Sequence, residues 1–253
     1  LSIWVSIGLV CAAPLWGAGI VNTRGGGDSP FLLQRTVEMA ANLSSGVFPV
    51  RWMGHAAYDL GFPFFHHYAA LPYYLSGGLT ALGLSPLIAI QATQTLGFLL
   101  AAVGMGVWSR HLFHHKGSAL LAVCAYSFAP FHMVNVYVRG DSLSEFYAFA
   151  WYPLILLTID RVRASPSGRR IAAAAAAYAA LALTHNVSLL IFTPFALLYA
   201  LLMAGIGHAR TPDGGPAPDG KRARLTPYLN SLLPFALGLA LSAWFWLPAI
   251  AET

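Results

Sequence analysis

The chain has 253 residues, 57% of them hydrophobic and 9% charged, against roughly 25% charged in a soluble domain. That balance excludes an ordinary soluble domain and indicates an integral membrane protein. Its 14 Lys and Arg against 9 Asp and Glu do not indicate nucleic-acid binding, because the basic residues gather in short loops between apolar runs, where a positive-inside bias puts them.

Apolar runs fall at about 2–21, 86–107, 117–134, 146–160, 171–185, 187–205 and 229–250. Several reach the ~18–20 residues that span a bilayer as a helix. The alternating strands of a barrel are absent, so the expected fold is all-α, a polytopic transmembrane helical bundle. The chain starts at Leu1 without methionine and stops at Thr253 just after a run, which reads as a fragment of a longer protein. Run 2–21 has neither a basic n-region nor a cleavage site, so it reads as a span and not a signal peptide. Cys11 and Cys124 both fall inside runs and read as small core residues.

Loop charges orient the spans. Arg110 and Lys116 flank one loop, Arg161, Arg163, Arg169 and Arg170 a second, and Arg210, Lys221, Arg222 and Arg224 a third. Placing all three in the cytoplasm leaves 64–83 as a parity problem. This aromatic, proline-rich stretch reads better as an interfacial or re-entrant helix pair than as a crossing. Residues 22–85 then form one large outer loop with its own helices, one of them at 30–45 with Ser29 as N-cap and Pro30 at N1. Residues 206–227, rich in Gly, Pro and charge, read as a flexible cytoplasmic loop.

Run 171–205 is too long for one span and carries Thr184-His185-Asn186 at its middle. Fourteen residues of helix before that turn cover only about 21 Å, less than a hydrocarbon core of ~30 Å. His185 is therefore expected within membrane depth, either as a satisfied core histidine or as part of a wet site.

This topology brings Arg24, Asp28, Arg51, Arg139, Asp141, Glu145 and His185 to one side, from three separate loops. Local roles compete with a shared site. Asp28 could cap the helix that follows it, and Ser142-Leu143-Ser144-Glu145 matches a capping box. Asn42-Leu43-Ser44 and Asn186-Val187-Ser188 match the glycosylation acceptor pattern, which is frequent by chance. Adjacent histidines at 66–67 and 114–115 lack a neighbouring carboxylate, so a divalent metal is conceivable but unsupported and no metal ligand is assigned.

An Asp after the first span, then Leu43-Ser44-Ser45-Gly46-Val47-Phe48-Pro49-Val50-Arg51-Trp52, Leu60-Gly61-Phe62-Pro63-Phe64-Phe65-His66-His67-Tyr68 and Leu71-Pro72-Tyr73-Tyr74, resembles the start of class C (GT-C) membrane glycosyltransferases. The likeness is nearest to bacterial membrane proteins named as relatives of 6-pyruvoyl-tetrahydropterin synthase. It continues through Val138-Arg139-Gly140-Asp141-Ser142-Leu143-Ser144-Glu145, Leu183-Thr184-His185-Asn186 and Phe245-Trp246-Leu247-Pro248-Ala249-Ile250-Ala251-Glu252. The resemblance implies a GT-C-like bundle with a large first outer loop. It implies transfer of a sugar from a polyprenyl-phosphate donor on the outer face of a bacterial cytoplasmic membrane.

Asp28 stands where the family's catalytic carboxylate lies. Arg139 and His185 are the candidates for steadying the lipid phosphate, and Glu145 for orienting Arg139. Arg24, Arg51, Trp52, His66, His67, Tyr68, Asp141 and Asn186 are candidate substrate contacts. Many family members carry a small apolar residue at the place of Asp141. A transporter or flippase for an anionic or lipid-linked substrate, and a non-catalytic scaffold of the same fold, are the competing readings.

Overall fold

The computed structural model describes residues 1–17, 29–140, 142–209 and 221–252. Among them the chain is helical throughout, with no strand beyond an isolated bridge between Met53 and Phe62. The helices are α1 (Ser2–Ala12), α2 (Ser29–Ser44), α3 (Ala56–Asp59), α4 (Phe64–His67), α5 (Leu71–Ala81), α6 (Pro86–Phe113), α7 (Lys116–Ser127), α8 (Pro130–Tyr137), α9 (Leu143–Ala164), α10 (Gly168–Ala182), α11 (Asn186–Ala209) and α12 (Lys221–Ala251). A 3-10 turn, Ala13–Trp16, extends α1.

Among the described residues, four stretches are long and apolar enough to cross a membrane: Pro86–Phe113, Lys116–Tyr137, Asn186–Ile206 and Leu225–Ala251. On α11, Val187, Leu190, Ile191, Phe195, Leu198 and Leu202 stay exposed in a stripe of three- and four-residue spacing. A ridge of large apolar side chains this long has no counterpart on a water-facing helix and suits contact with acyl chains.

The direction of each helix follows from its side-chain contacts. Trp108 near the end of α6 donates Nε1–H to Asp160 Oδ2 near the end of α9 at 3.2 Å, so α6 and α9 run parallel. Gln91 near the start of α6 donates to the Leu15 carbonyl at 2.8 Å, so α1 runs antiparallel to α6. Chain segments 29–85 therefore gather at one end of the bundle, beside the start of α9. α4 and α5 are too short to cross: the 11 residues of α5 reach only about 16 Å. α5 packs on α2 and α6 instead.

Two cores hold these pieces. Phe98, Phe146, Tyr147, Tyr73, Phe65, Leu143 and Met39 fill the space between the first loop, α6 and α9. Ile155, Ile159, Tyr178, Leu181, Ala196 and Phe235 fill the space among α9 to α12. At the second core Gly238 of α12 lies directly on α10: a Cβ there would sit 2.8 Å from the Ala175 carbonyl oxygen.

Proline breaks the backbone ladder of the long helices, and side chains repair it. Pro153 lacks the N–H that would reach the Phe149 carbonyl four residues earlier. Tyr126 Oη donates to that carbonyl instead, at 2.7 Å. An unpaired carbonyl inside a membrane bundle costs several kcal/mol, so Tyr126→Phe is expected to destabilise the protein by about 1–3 kcal/mol. In a Pro153→Ala background the ladder closes by itself, and the same substitution should cost much less. A thermal-unfolding double-mutant cycle showing additive losses would refute the repair.

Two local expectations are corrected. Ser29 lies within α2 and is not outside it as a cap. The capping box at Ser142 does not form: Ser142 precedes α9, but its side chain accepts no hydrogen bond from the first turn. The run at 117–134 is also divided, because Pro130 starts a new helix after Phe128 and Ala129. The residue before a proline is driven out of the helical region, and Ala129 has ψ near +130°.

Candidate functional site

Arg139 follows the last turn of α8, and Glu145 sits in the first turn of α9. The tight connection between these helices turns at Gly140, whose φ of +79° suits a residue without Cβ. It lays Arg139 Nη1 2.6 Å from Glu145 Oε2, with the two side chains 49% and 23% exposed. The same Nη1 donates to Asn135 Oδ1 at 3.1 Å. Asn135 stands in the last turn of α8, so the chain folding back at its end brings Arg139 over it. Glu145 is thus committed to the arginine and not to a helix cap, and the pair presents a fixed cation at the loop-bearing end.

His185 occupies the turn between α10 and α11. Thr184 beside it meets Trp151, eight residues beyond the start of α9 at Leu143, about 12 Å along that helix, so the turn is recessed into the bundle. His185 is buried. Its Nδ1 lies 3.2 Å from the Ser188 amide, which donates to it, and 2.7 Å from Ser188 Oγ. A nitrogen that accepts from an amide carries no proton, so the neutral ring holds its proton on Nε2. Burial lowers the His185 pKa below the ordinary value; Glu145 opposes that shift and Arg139 adds to it. Both members of the ion pair therefore lie within electrostatic reach of the ring.

The first loop closes over this recess. Leu71 donates its amide to the Leu183 carbonyl at 2.8 Å. Asn186 Nδ2 donates to the His67 carbonyl at 2.9 Å. The Tyr68 and His185 rings lie 5.9 Å apart. From below, Trp151 Nε1 donates to Thr184 Oγ1 at 2.9 Å. The turn is held by α4, α5 and α9 together, and these contacts satisfy its polar groups.

The lowered pKa carries a sign. The unfolded chain takes up the His185 proton first, so stability falls as pH drops below about 6.5. Replacing His185 with Gln is expected to flatten that acid loss relative to the wild type. Parallel unfolding curves of the two proteins between pH 7 and 5 would refute it.

A second cluster lies beside the first. Arg51 Nη1 approaches His66 Nδ1 at 3.3 Å, and Arg51 Nη2 donates to the Trp244 carbonyl at 2.8 Å. That carbonyl is the one Pro248 leaves without its helical donor. His66 Nε2 lies 3.2 Å from Glu252 Oε2, within ionic reach but off hydrogen-bond alignment. The His66 and His67 rings touch edge to face at 4.5 Å.

The structure thus brings His185, Asn186, His67 and Tyr68 together at the α10–α11 turn, with the Arg139–Glu145 pair acting on the ring electrostatically, and joins Arg51 and His66 in a neighbouring cluster. Trp52 is set apart: it is half-exposed, and its ring lies over Gly61, where any Cβ would collide. Arg24, Asp28 and Asp141 lie outside the described residues.

Sequence reasoning missed Glu38, Glu252, Asn135 and Ser188. Glu38 is buried on the inner face of α2, and its Oε1 accepts from the His55 amide at 3.0 Å and lies 3.2 Å from His55 Nδ1. Asn135 and Ser188 had a local signal, standing four residues before Arg139 and three after His185. Glu252 meets His66 from the far end of the chain, where no spacing rule applies. Among the described residues no group of three His, Cys, Asp or Glu side chains is placed to hold a metal.

Comparison with known proteins finds no matching family model, no matching curated protein and no matching solved structure.

Proposed function

We propose that the protein is a membrane glycosyltransferase that moves a sugar from a polyprenyl-phosphate donor to an acceptor at the loop-bearing, outer face. The observation that carries this reading is the Arg139–Glu145 pair beside the recessed His185. A lipid phosphate needs a cation and hydrogen-bond donors at headgroup depth, and guanidinium geometry suits a phosphate oxygen. Glu145 and Asn135 aim the guanidinium, and His185 offers its Nε2–H.

In the proposed step the acceptor hydroxyl attacks the sugar's anomeric carbon and gives its proton to Asp28. The bond from that carbon to the phosphate oxygen breaks, and polyprenyl phosphate leaves with its charge met by Arg139. Base assistance of this kind supplies about 10²–10⁴-fold. The aromatic segment from Phe64 to Tyr74, with Arg51 and His66, lies beside the pair and is assigned to the acceptor or the donor's lipid tail.

The test is full-length protein in liposomes loaded with a polyprenyl-phosphate sugar. Sugar transfer by the wild type, lost in Asp28→Asn at equal expression, is the expected result. Movement of the lipid-linked sugar across the bilayer without transfer would replace the reading with a flippase.

A further inference from the structure

At the other end of the bundle a different set of charges stands together. The last turn of α9 and the first turn of α10 enclose a cleft of about 480 Å³, lined by Thr158, Arg161, Ser167, Arg169, Arg170 and Ala173. From this cleft we infer a binding site for the phosphate of an anionic phospholipid headgroup.

Three features separate the cleft from a solvated charge run. First, Arg170 is fixed in place. Its Nη1 donates to the Arg161 carbonyl at 3.2 Å and the Ser165 carbonyl at 2.8 Å, both at the open end of α9. Its remaining guanidinium donors are held in a set position. Ser167 Oγ accepts from the Arg170 amide at 3.4 Å, which leaves its own proton to donate.

Second, the charge is uncompensated. The adjacent acid, Asp160, is buried and turned the other way. It accepts from Tyr199 Oη at 2.8 and 2.9 Å and from Trp108 Nε1 at 3.2 Å. Among the described residues no carboxylate lies within ion-pair distance of Arg161, Arg169 or Arg170.

Third, the cleft continues onto an apolar wall. Ala172, Ala173 and Ala176 of α10 are exposed and run away from the arginines along the helix. Small side chains there leave room for an acyl chain beside the backbone. A soluble phosphate would use the arginines alone; a phospholipid uses both. Basic clefts between membrane helices at this level are suited to anionic headgroups.

The experiment uses full-length protein in nanodiscs of phosphatidylcholine with one tenth phosphatidylglycerol. Lipid kept through delipidation is read by native mass spectrometry. The wild type is expected to keep phosphatidylglycerol in preference to phosphatidylcholine. Arg161→Gln with Arg169→Gln should keep about 10- to 30-fold less. Arg161→Lys with Arg169→Lys, which preserves charge, should keep most of it. Arg110→Gln with Lys116→Gln removes the same charge from the same end and should leave retention unchanged.

Equal losses in the two glutamine pairs would mean diffuse surface attraction and overturn the site. Equal retention of both lipids by the wild type would overturn it as well. So would displacement of the retained lipid by millimolar inorganic phosphate, since that marks a site for soluble anions. The outcome is independent of sugar transfer, because Arg161 and Glu145 stand at opposite ends of α9, about 24 Å apart.

Discussion

If the protein acts as the proposed glycosyltransferase, replacing Arg139 with Gln is expected to lower the kcat of sugar transfer by about 10²–10³-fold while the protein still folds. The magnitude is that of removing one donor aimed at a developing oxyanion. KM should change little, because the interaction strengthens as the phosphate leaves. Arg139→Lys should recover only a small part. One ammonium cannot meet Glu145, Asn135 and a phosphate oxygen in the planar geometry that the guanidinium provides.

Glu145→Gln is expected to act through Arg139, with a loss nearer tenfold. Combined with Arg139→Gln it should add almost nothing, because paired residues in one network are not additive. The measurement is initial rate in proteoliposomes, with thermal unfolding of each variant as the control. An Arg139→Gln enzyme with wild-type kcat would remove Arg139 from the reaction.

Gly238→Leu is expected to be the most damaging single change to the bundle. At this position α12 approaches the backbone of α10, with the added Cβ 2.8 Å from the Ala175 carbonyl oxygen and 2.9 Å from Tyr178 Cδ1. A backbone oxygen cannot rotate away as a flexible side chain would. Close approach at small residues is also what holds helices together inside lipid, where apolar burial adds little. Alanine should cost about 1–3 kcal/mol, and leucine more than that range.

The effect should extend to function, because α10 leads directly into the His185 turn. Ser242→Ala is the mild comparison. Ser242 is fully buried one turn further on, but its hydroxyl only donates back to the Gly238 and Leu239 carbonyls of its own helix. Unfolding in detergent that gave Gly238→Leu the wild-type Tm would show that α10 and α12 do not pack at this glycine.

Much of the helical layout was readable because membrane helices advertise themselves by length. The apolar stretches that became α6 and α11 needed no partner to be recognised. The division of 171–205 came from its excess length and the polar Thr184-His185-Asn186 at its middle, and the turn between α10 and α11 falls there. The break before Pro130 was missed although the proline was visible, because an apolar run masks a local backbone constraint.

Several of the residues that the structure brings into contact stood out in the sequence, but their pairings did not. Glu145 had two valid local readings, and only the position of Arg139 separates them. Asn135 was within reach of helical spacing and was passed over. His66 and Glu252 lie 186 positions apart, and such a contact is set by the packing of α12 against the first loop. Trp52 matched the same motif as Arg51 yet serves Gly61, because neighbouring residues in an extended segment point to opposite sides.

The contact between Arg51 and the Trp244 carbonyl ties residues 193 positions apart. That carbonyl is open because Pro248 has no N–H to offer it, so a gap in the α12 ladder and its fastening come from one proline. The first loop is therefore latched to the last helix by a charged hydrogen bond, with the Phe48 ring against Trp244 beside it. Releasing a bond of that type costs on the order of 1.5–3 kcal/mol, a small sum beside repacking a core. The latch to α12 therefore opens without disturbing Phe65, Ala69 and Tyr73, which keep the segment above the His185 turn packed on the bundle.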